Sequence, residues 1–500
     1  MGAASLIYET YSIHVLFFYY LKASDIIAIA IAAFLAGLGF SSLFFSWLSQ
    51  NRKQIAHQLL IYMQFALIAY AYLVLKNYDY IPQILNFIEA TFEESGWHHF
   101  MNLMFMWWYL FTPAFLIGGC FPIINGLYIK QKGTVTTDTG IVYFYDILGC
   151  IIGCLLTGFF LIPNWGLSIT IIVAISFNVI VLLLMIENRM LKLLIVIFLG
   201  CISVKEIMIY HKGYSFMTGT EVGEIQFQKN SPYGVITVLS EPDQKFLKIN
   251  GRGMCGGSQG HKSAGAESYL GEKTASYLRQ DSHVLAIGLG CGYTARGLVS
   301  SSNVDYVTQL EINPVIVEAS RDYFGKENNH VVTDPKLKLI IENGAEFIRR
   351  TDDIYDAIVI DIEEVSIIYS SPMYTKEYMQ FYFDHLEEEG VFSFWSFYGS
   401  PDFSKVLYNT IKSVFPYVSM RSHHFHEIVF FASKHPLPKP LTITASEEQK
   451  RINDVLNNDL LKVNTLEHPI LQQYFDTYGL FHLDPNYKER YLQDRYRPQH

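Results

Sequence analysis

Two patterns of apolar and polar positions divide this chain. Up to about residue 210 the apolar positions form long, nearly charge-free runs, and a membrane-spanning helix needs about 20 such residues. Candidate spans lie near 2–21, 25–49, 55–76, 103–128, 140–163, 165–186 and 189–209. The first six are long enough, although the first contains Glu9. In the seventh the uncharged run extends only from Leu193 to Val204, between Lys192 and Lys205, and runs of about 10–14 residues are often interfacial or re-entrant. Six or seven spans are therefore expected.

After residue 213 the pattern changes. Residues 224–251 alternate apolar and polar positions, with turn signals at SPYG and SEPD, which predicts short antiparallel strands. From about 264 helical and strand patterns take turns. Helices are expected at AESYLGEKTASYL, from TARGLV, at PVIVEASRDYF, at AEFIRR, over 375–387 and over 402–414. Strands are expected at VLAIGLG, VDYVTQLEI, LKLII, YDAIVIDI and GVFSFWSF, then near 416–421 and 427–433. Repeated βα units imply a Rossmann-like α/β domain with a parallel sheet covered by helices. The division expected is a multi-pass transmembrane domain over 1–212, a small β region over 213–262, the α/β domain over 263–440 and a polar helical extension over 441–500.

Composition agrees with this division. Of 500 residues, 50% are hydrophobic and 17% charged, against roughly 25% charged in ordinary soluble proteins. That excludes a disordered chain. The formal net charge of −10 argues against a nucleic-acid partner, which would need a basic face. The six cysteines show no CxxC or Cys/His zinc spacing, so neither a disulfide framework nor a metal is expected. Nor is a cleavable signal peptide expected, since no basic segment precedes a short apolar core. Arg52, Lys53, Lys130, Lys132, Arg189 and Lys192 fall on one side of the spans; Lys22 and Lys76 fall on the other, beside Asp79, Glu89, Glu93 and Glu94. The positive-inside rule places the six-charge side in the cytoplasm of a cell (inner) membrane. The C-terminal half then lies outside if the seventh segment spans and inside if it does not. In the fifth span Gly149 and Gly153, with Cys150 and Cys154, form a small-residue stripe that lets helices approach closely. Glu9 and Asp146 are intramembrane acids, either functional or solvated at an interface.

The chemistry gathers at the strand ends of the α/β half. Gly288, Gly290 and Gly292, in IGLGCG, follow a strand and open a helix, where glycine lets backbone approach a ligand closely. Glu311 ends the next strand, where an acid can bind both hydroxyls of a ribose. The G-x-G-x-G spacing suits S-adenosyl chemistry better than a dinucleotide. Asn343 follows the third strand, where an adenine edge would lie, and Asp361 ends the fourth, at the edge where open α/β sheets bind ligands. Cys291 within the turn reads either as a small residue beside the ligand or as a redox-sensitive thiol. The HHFH run at 423–426 reads as structural or surface histidines, since no acid or cysteine spacing completes a metal site.

Residues 220–435 resemble the spermidine synthase family of aminopropyltransferases, through SPYGVITV, LKINGRG, HVLAIGLGCGYTARGL, VTQLEINPVIVEASRDYF, DPKLKLIIENGAEFI and YDAIVIDIEE. GAASLIYE, AAFLAGLGFSSLFF and YDILGCIIGCLLTGFFLIPNWG resemble the subfamily that fuses this domain to a multi-pass membrane domain. The resemblance implies decarboxylated S-adenosylmethionine as donor, a small amine or polyamine as acceptor and methylthioadenosine as by-product. It implies that Gly288, Gly290, Cys291, Gly292, Glu311, Asn343 and Gly344 bind the donor, with Asn343-Gly344 in place of the family's Asp-Gly. Asp361 matches the first acid of the family's D-x-x-D signature, and Glu364 stands at the second, one methylene longer. Tyr233, Glu272 and Glu363 are the expected substrate contacts. Three positions depart from the family pattern: Cys291 replaces an Asp that holds the donor's amine, Gly234 replaces a Gln, and Leu270-Gly271 replaces an aromatic-polar pair.

Alkyl transfer from a sulfonium depends mainly on positioning, and an amine nucleophile must lose a proton to a nearby carboxylate. Asp361 is the candidate base. Two rivals stay open: a methyltransferase or other alkyltransferase using intact S-adenosylmethionine, and a transporter or sensor whose domain only binds nucleoside or polyamine. The lipid bilayer is an expected partner, and a homodimer is left open.

Overall fold

The computed structural model describes residues 1–19, 23–51, 55–77, 84, 87–88, 91–92, 97–129, 135–198, 200, 224–241, 244–249, 252–258, 265–362, 370–397, 401–423, 427–437, 446–468 and 471. The chain divides into two compact units, Met1–Glu221 with Asn230–Val235, and Val222–Lys229 with Ile236–His500.

The first unit is helical: α1 (Gly2–Tyr19), α2 (Ala23–Asn51), α3 (Ala56–Asn77), α4 (His98–Gly118), α5 (Cys120–Tyr128), α6 (Val135–Leu156), a π-turn at Thr157–Leu161 and α7 (Ile162–Met185). Small residues set its packing. A Cβ on Gly153 would lie 2.3 Å from the Ala3 carbonyl oxygen, and one on Gly118 would lie 2.6 Å from the Leu38 Cα. The Gly149/Gly153 stripe thus faces α1, and glycine likewise lets α2 and α4 meet. Asp146 sits on the same seam, its backbone oxygen 2.1 Å from a Cβ built on Gly2. Some polar groups inside the unit are paired: Asn178 donates to the Tyr8 hydroxyl at 2.7 Å, and Thr170 donates to the Gly166 carbonyl at 2.7 Å.

Among the described residues, four helical stretches are long and apolar enough to cross a membrane: Ile26–Ser49, Ala56–Leu75, Phe100–Tyr128 and Val135–Met185. The last is 51 residues long and breaks at Gly166, whose φ of 72° and ψ of −177° are not helical. The sequence separated its fifth and sixth spans close to this point. Five of the expected spans, 25–49, 55–76, 103–128, 140–163 and 165–186, fall in these four stretches; the first expected span is helical over Gly2–Tyr19 but is not among them, so a count of six or seven is not confirmed. In the seventh segment residues 189–198 are helical, and 201–209 lie outside the described residues.

Residues 224–258 carry a four-stranded antiparallel sheet of β1 (Glu224–Ser231), β2 (Gly234–Glu241), β3 (Gln244–Ile249) and β4 (Arg252–Ser258), in that order. Of its buried residues, Ile236, Val238 and Leu247 share a core with Val315, Ile316 and Phe324.

A seven-stranded sheet follows, ordered β10-β11-β9-β8-β5-β6-β7. Its strands are β5 (Ser282–Ile287), β6 (Val304–Glu311), β7 (Leu337–Ile341), β8 (Tyr355–Ile360), β9 (Leu386–Phe397), β10 (Tyr417–His423) and β11 (Glu427–Ser433). β5 to β9 run parallel, and β11 is antiparallel to both β9 and β10. The central strands are buried on both faces, so VLAI and AIVI read as continuous apolar runs. The helices are α8 (Gly265–Ala275), α9 (Tyr293–Val299), α10 (Pro314–Tyr323), α11 (Gly344–Arg350), α12 (Lys376–Asp384), α13 (Pro401–Lys412) and α14 (Ser446–Leu456). Asn313 caps α10 by accepting from the Val315 amide at 3.1 Å, and Pro314 follows it at the first helical position. The expected C-terminal extension is helical over Ser446–Leu456, whereas 458–468 run without helix.

Strand order reverses between β5 and β8. From β5 the chain builds toward β6 and β7, then crosses to β8 and β9 on the other side. Open α/β sheets bind ligands in the crevice at this switch.

Candidate active site

The glycine turn leaves β5 at the switch. Gly288, Gly290 and Gly292 have φ of 92°, 51° and 86°, a region that side chains other than glycine rarely adopt. A Cβ on Gly288 would lie 2.2 Å from the Asp361 carbonyl oxygen, so the ends of β5 and β8 meet through glycine. Buried amides hold the turn from behind. Gln309 donates to the Gly288 carbonyl at 2.7 Å, and Asn328 donates to the Cys291 carbonyl at 2.9 Å. Gln309 lies in a family-like stretch whose acid, Glu311, drew the attention, and Asn328 lies in none; buried amides give no periodic signal, so sequence reading passed over both.

Glu311 closes the neighbouring edge at the end of β6. It is 6% exposed, and its carboxylate accepts from the Leu289 and Asn313 amides, each at 2.9 Å. Burial raises its pKa above the ordinary carboxylate value, and these amide hydrogen bonds oppose the rise. The acid is therefore fixed to the glycine turn itself. Asn343 caps α11 through the Ala345 amide at 2.9 Å. Gly344 packs so tightly on β5 that a Cβ would lie 2.2 Å from Ile287 Cγ2.

Asp361 follows β8, with its amide donating to the Ile287 carbonyl at 2.8 Å. Trp395 Nε1 donates to its Oδ1 at 2.7 Å. The residue keeps some solvent access while protein crowds its carboxyl, and this burial pushes its pKa up to about 6 against the pull of the Trp395 and Thr294 hydrogen bonds. A carboxyl so placed exchanges a proton near neutral pH, as a general base must.

The cysteine expectation is overturned. Cys255 of β4 and Cys291 of the glycine turn form a disulfide across 36 positions. Cys291 is 2% exposed and is therefore neither a free thiol nor merely a small residue beside a ligand. The pair was missed because disulfides depend on distance in space, and a separation of 36 residues has no signature in a chain without a cysteine framework. The bond ties the small sheet to the turn that opens α9.

The remaining expected residues are less concentrated. Tyr233 lies in the turn between β1 and β2, 37% exposed. Glu272 occupies the exposed face of α8, opposite the buried Leu270, Gly271 and Thr274. Glu363 and Glu364 lie outside the described residues, as do 424–426 of the histidine run. Among the described residues, Asp361, Glu311, the glycine turn and Asn343-Gly344 are the members that successive strand ends bring to one edge.

Residues 267–424 match the family model for the spermine/spermidine synthase domain. That stretch is similar to a spermine/spermidine synthase domain. A polyamine aminopropyltransferase of Sulfurisphaera tokodaii is 35% identical over 144 residues, covering 27% of this chain and 46% of that protein. One from Oceanobacillus iheyensis is 23% identical over 332 residues, 64% of each chain. The chain thus spans about half the length of the first curated relatives it matches, 46% and 45% of two of them. A crystal structure of spermidine synthase from Thermotoga maritima aligns over 53% of this chain and 90% of its own, at 23% identity and a TM-score of 0.38. The glycine turn, Glu311 and Asp361 all fall inside the matched residues.

Proposed function

We propose that the synthase domain moves an aminopropyl group from decarboxylated S-adenosylmethionine to an amine or polyamine, releasing methylthioadenosine, in a protein anchored by its apolar helices. Asp361 carries this reading: it is a crowded carboxyl at the switch point, one strand from the glycine turn, with its pKa raised to about 6. The acceptor nitrogen attacks the aminopropyl carbon bonded to the sulfonium. The C–S bond breaks, its electron pair returns to sulfur as the neutral thioether, and the nitrogen's proton passes to Asp361. The positive sulfur is already a good leaving group, so in-line placement supplies most of the acceleration.

The other roles are assigned from strand-end position and, for Glu363, Glu364, Tyr233 and Glu272, from the sequence resemblance. Glu311, fixed beside the turn, takes the ribose hydroxyls. The glycine backbone lies along the donor, and Asn343-Gly344 borders the adenine. Glu364 holds the cationic acceptor, with Glu363, Tyr233 and Glu272 as further substrate contacts. No step calls for a metal.

A second reading has one observation in its favour. Position 291 is half of a disulfide and carries no charge, so nothing there repels the carboxylate of intact S-adenosylmethionine. Incubating the purified full chain with each donor and a mixture of amines decides between them. Methylthioadenosine with an aminopropylated amine supports the proposal. S-adenosylhomocysteine marks methyl transfer and overturns it, and binding without either product marks a non-catalytic domain.

A further inference from the structure

We propose that Trp395 is a positioning residue for the proton acceptor: its indole N–H fixes the Asp361 carboxylate in the crevice and keeps it ionised when the acceptor amine arrives. The inference rests on the aminopropyl-transfer reading of the site.

The register of the sheet places the pair. Ile360 of β8 lies level with Phe394 of β9, so Asp361 comes level with Trp395 on the adjacent strand. Side chains alternate along β9. Phe394 stacks on Phe430 with ring centroids 4.9 Å apart, and Ser393 shares the Trp395 face and meets Thr274 of α8 at 2.7 Å. That face is apolar apart from such contacts. Trp395 is 3% exposed and packs in the core that includes Val391, Val429 and Phe431. An indole N–H buried there needs an acceptor, and Asp361 Oδ1 at 2.7 Å supplies it. The ring is rigid and held by the core, so the hydrogen bond fixes the carboxylate's rotamer as well as its charge.

Other groups act on the same carboxyl. Thr294 of α9 hydrogen-bonds it, Glu311 at the end of β6 adds a weak like charge, and Tyr374 from the turn before α12 stands close by. Trp395 is the first of those that favour the ionised form. Removing the donor while keeping an aromatic ring should therefore raise the carboxyl's pKa.

The test combines kinetics with a spectroscopic readout on the full chain. In Trp395→Phe, methylthioadenosine release at neutral pH should fall about tenfold, the low-pH limb of the rate profile should move to higher pH, and methylthioadenosine affinity should stay within about twofold. Trp395→Gln, which restores an N–H, should recover part of the rate and covers the case in which the Phe variant folds poorly. A Phe variant with reduced rate but an unmoved limb would assign Trp395 to packing alone and overturn the proposal. In the ¹⁵N spectrum, the indole resonance lost in Trp395→Phe should titrate with Asp361 in wild type and become flat in Asp361→Asn. A flat indole resonance in wild type also overturns the proposal. A titrating indole in a protein that makes no methylthioadenosine would leave the pairing intact and refute the aminopropyl reading instead.

Discussion

Glycine serves opposite purposes in the two units. In the helical unit Gly153 keeps the helical conformation, and the space it leaves is filled by another helix, with Ala3 where a Cβ would go. In the α/β unit Gly288 and its neighbours adopt positive φ, and the space they leave brings two strand ends together at the switch point. One kind of glycine joins apolar surfaces along a seam. The other opens a polar edge at which backbone amides, Glu311 and Asp361 converge. In the helical unit Tyr8 and Asn178 pair inside the bundle, whereas in the α/β unit Glu311 and Asp361 stand at the strand-end edge.

Substituting the two glycines gives the largest contrast. Gly288→Ala places a Cβ against the Asp361 backbone and strains a left-handed residue, costing together about 2–5 kcal/mol. Methylthioadenosine affinity should drop about a hundredfold by calorimetry. Gly153→Val should loosen the helical unit, read as a lower melting temperature in detergent, yet leave that affinity within about twofold. Equal loss of affinity in both variants would break the comparison.

The disulfide offers the next largest effect. Closing a loop of 36 positions contributes about 3–4 kcal/mol on a chain-entropy account. Cys255→Ser, or reduction with a dithiol, should lower the unfolding free energy of the α/β unit by about that amount. An unchanged denaturation midpoint on reduction would show that Cys255 and Cys291 are not bonded in the folded protein.

Glu311→Ala should weaken methylthioadenosine binding at least about tenfold, since a carboxylate accepting ribose hydroxyls contributes about 1.5–3 kcal/mol per bond at most. Part of the loss will come from the Leu289 and Asn313 amides, which lose their acceptor. Glu311→Gln keeps an acceptor for one of them and should bind more tightly than the Ala variant. Equal affinity in wild type and both variants would remove Glu311 from the donor site.

Much of this architecture is written in short-range patterns. The alternation of β1 to β3, the apolar runs of β5 and β8 and the caps at Asn313 and Asn343 all follow from local chemistry. The glycine turn and the acids after β6 and β8 were legible because each sits at a strand end, and strand ends are where apolar patterns stop. Trp395, Gln309, Asn328 and the Cys255–Cys291 bond were not, because each acts on a neighbour brought close only by the sheet. Trp395 lies inside GVFSFWSF, where an apolar strand residue is the natural reading; its N–H matters only because β9 lies beside β8. The expected spans 140–163 and 165–186 part close to the break at Gly166, whose position is fixed by a backbone angle that hydropathy does not register.

The central claim is that Asp361 accepts the proton of the attacking amine. It is tested most directly by the pH dependence of kcat/KM for methylthioadenosine release, in wild type and in Asp361→Asn. Burial raises the carboxyl's pKa to about 6, so the base form predominates only above that value. Wild-type activity should therefore rise with pH through a limb near 6 and level off above it. The Asn variant should bind methylthioadenosine normally, turn over about 10²–10⁴-fold more slowly and lack the limb. A variant that keeps both wild-type turnover and the limb near pH 6 would contradict the account.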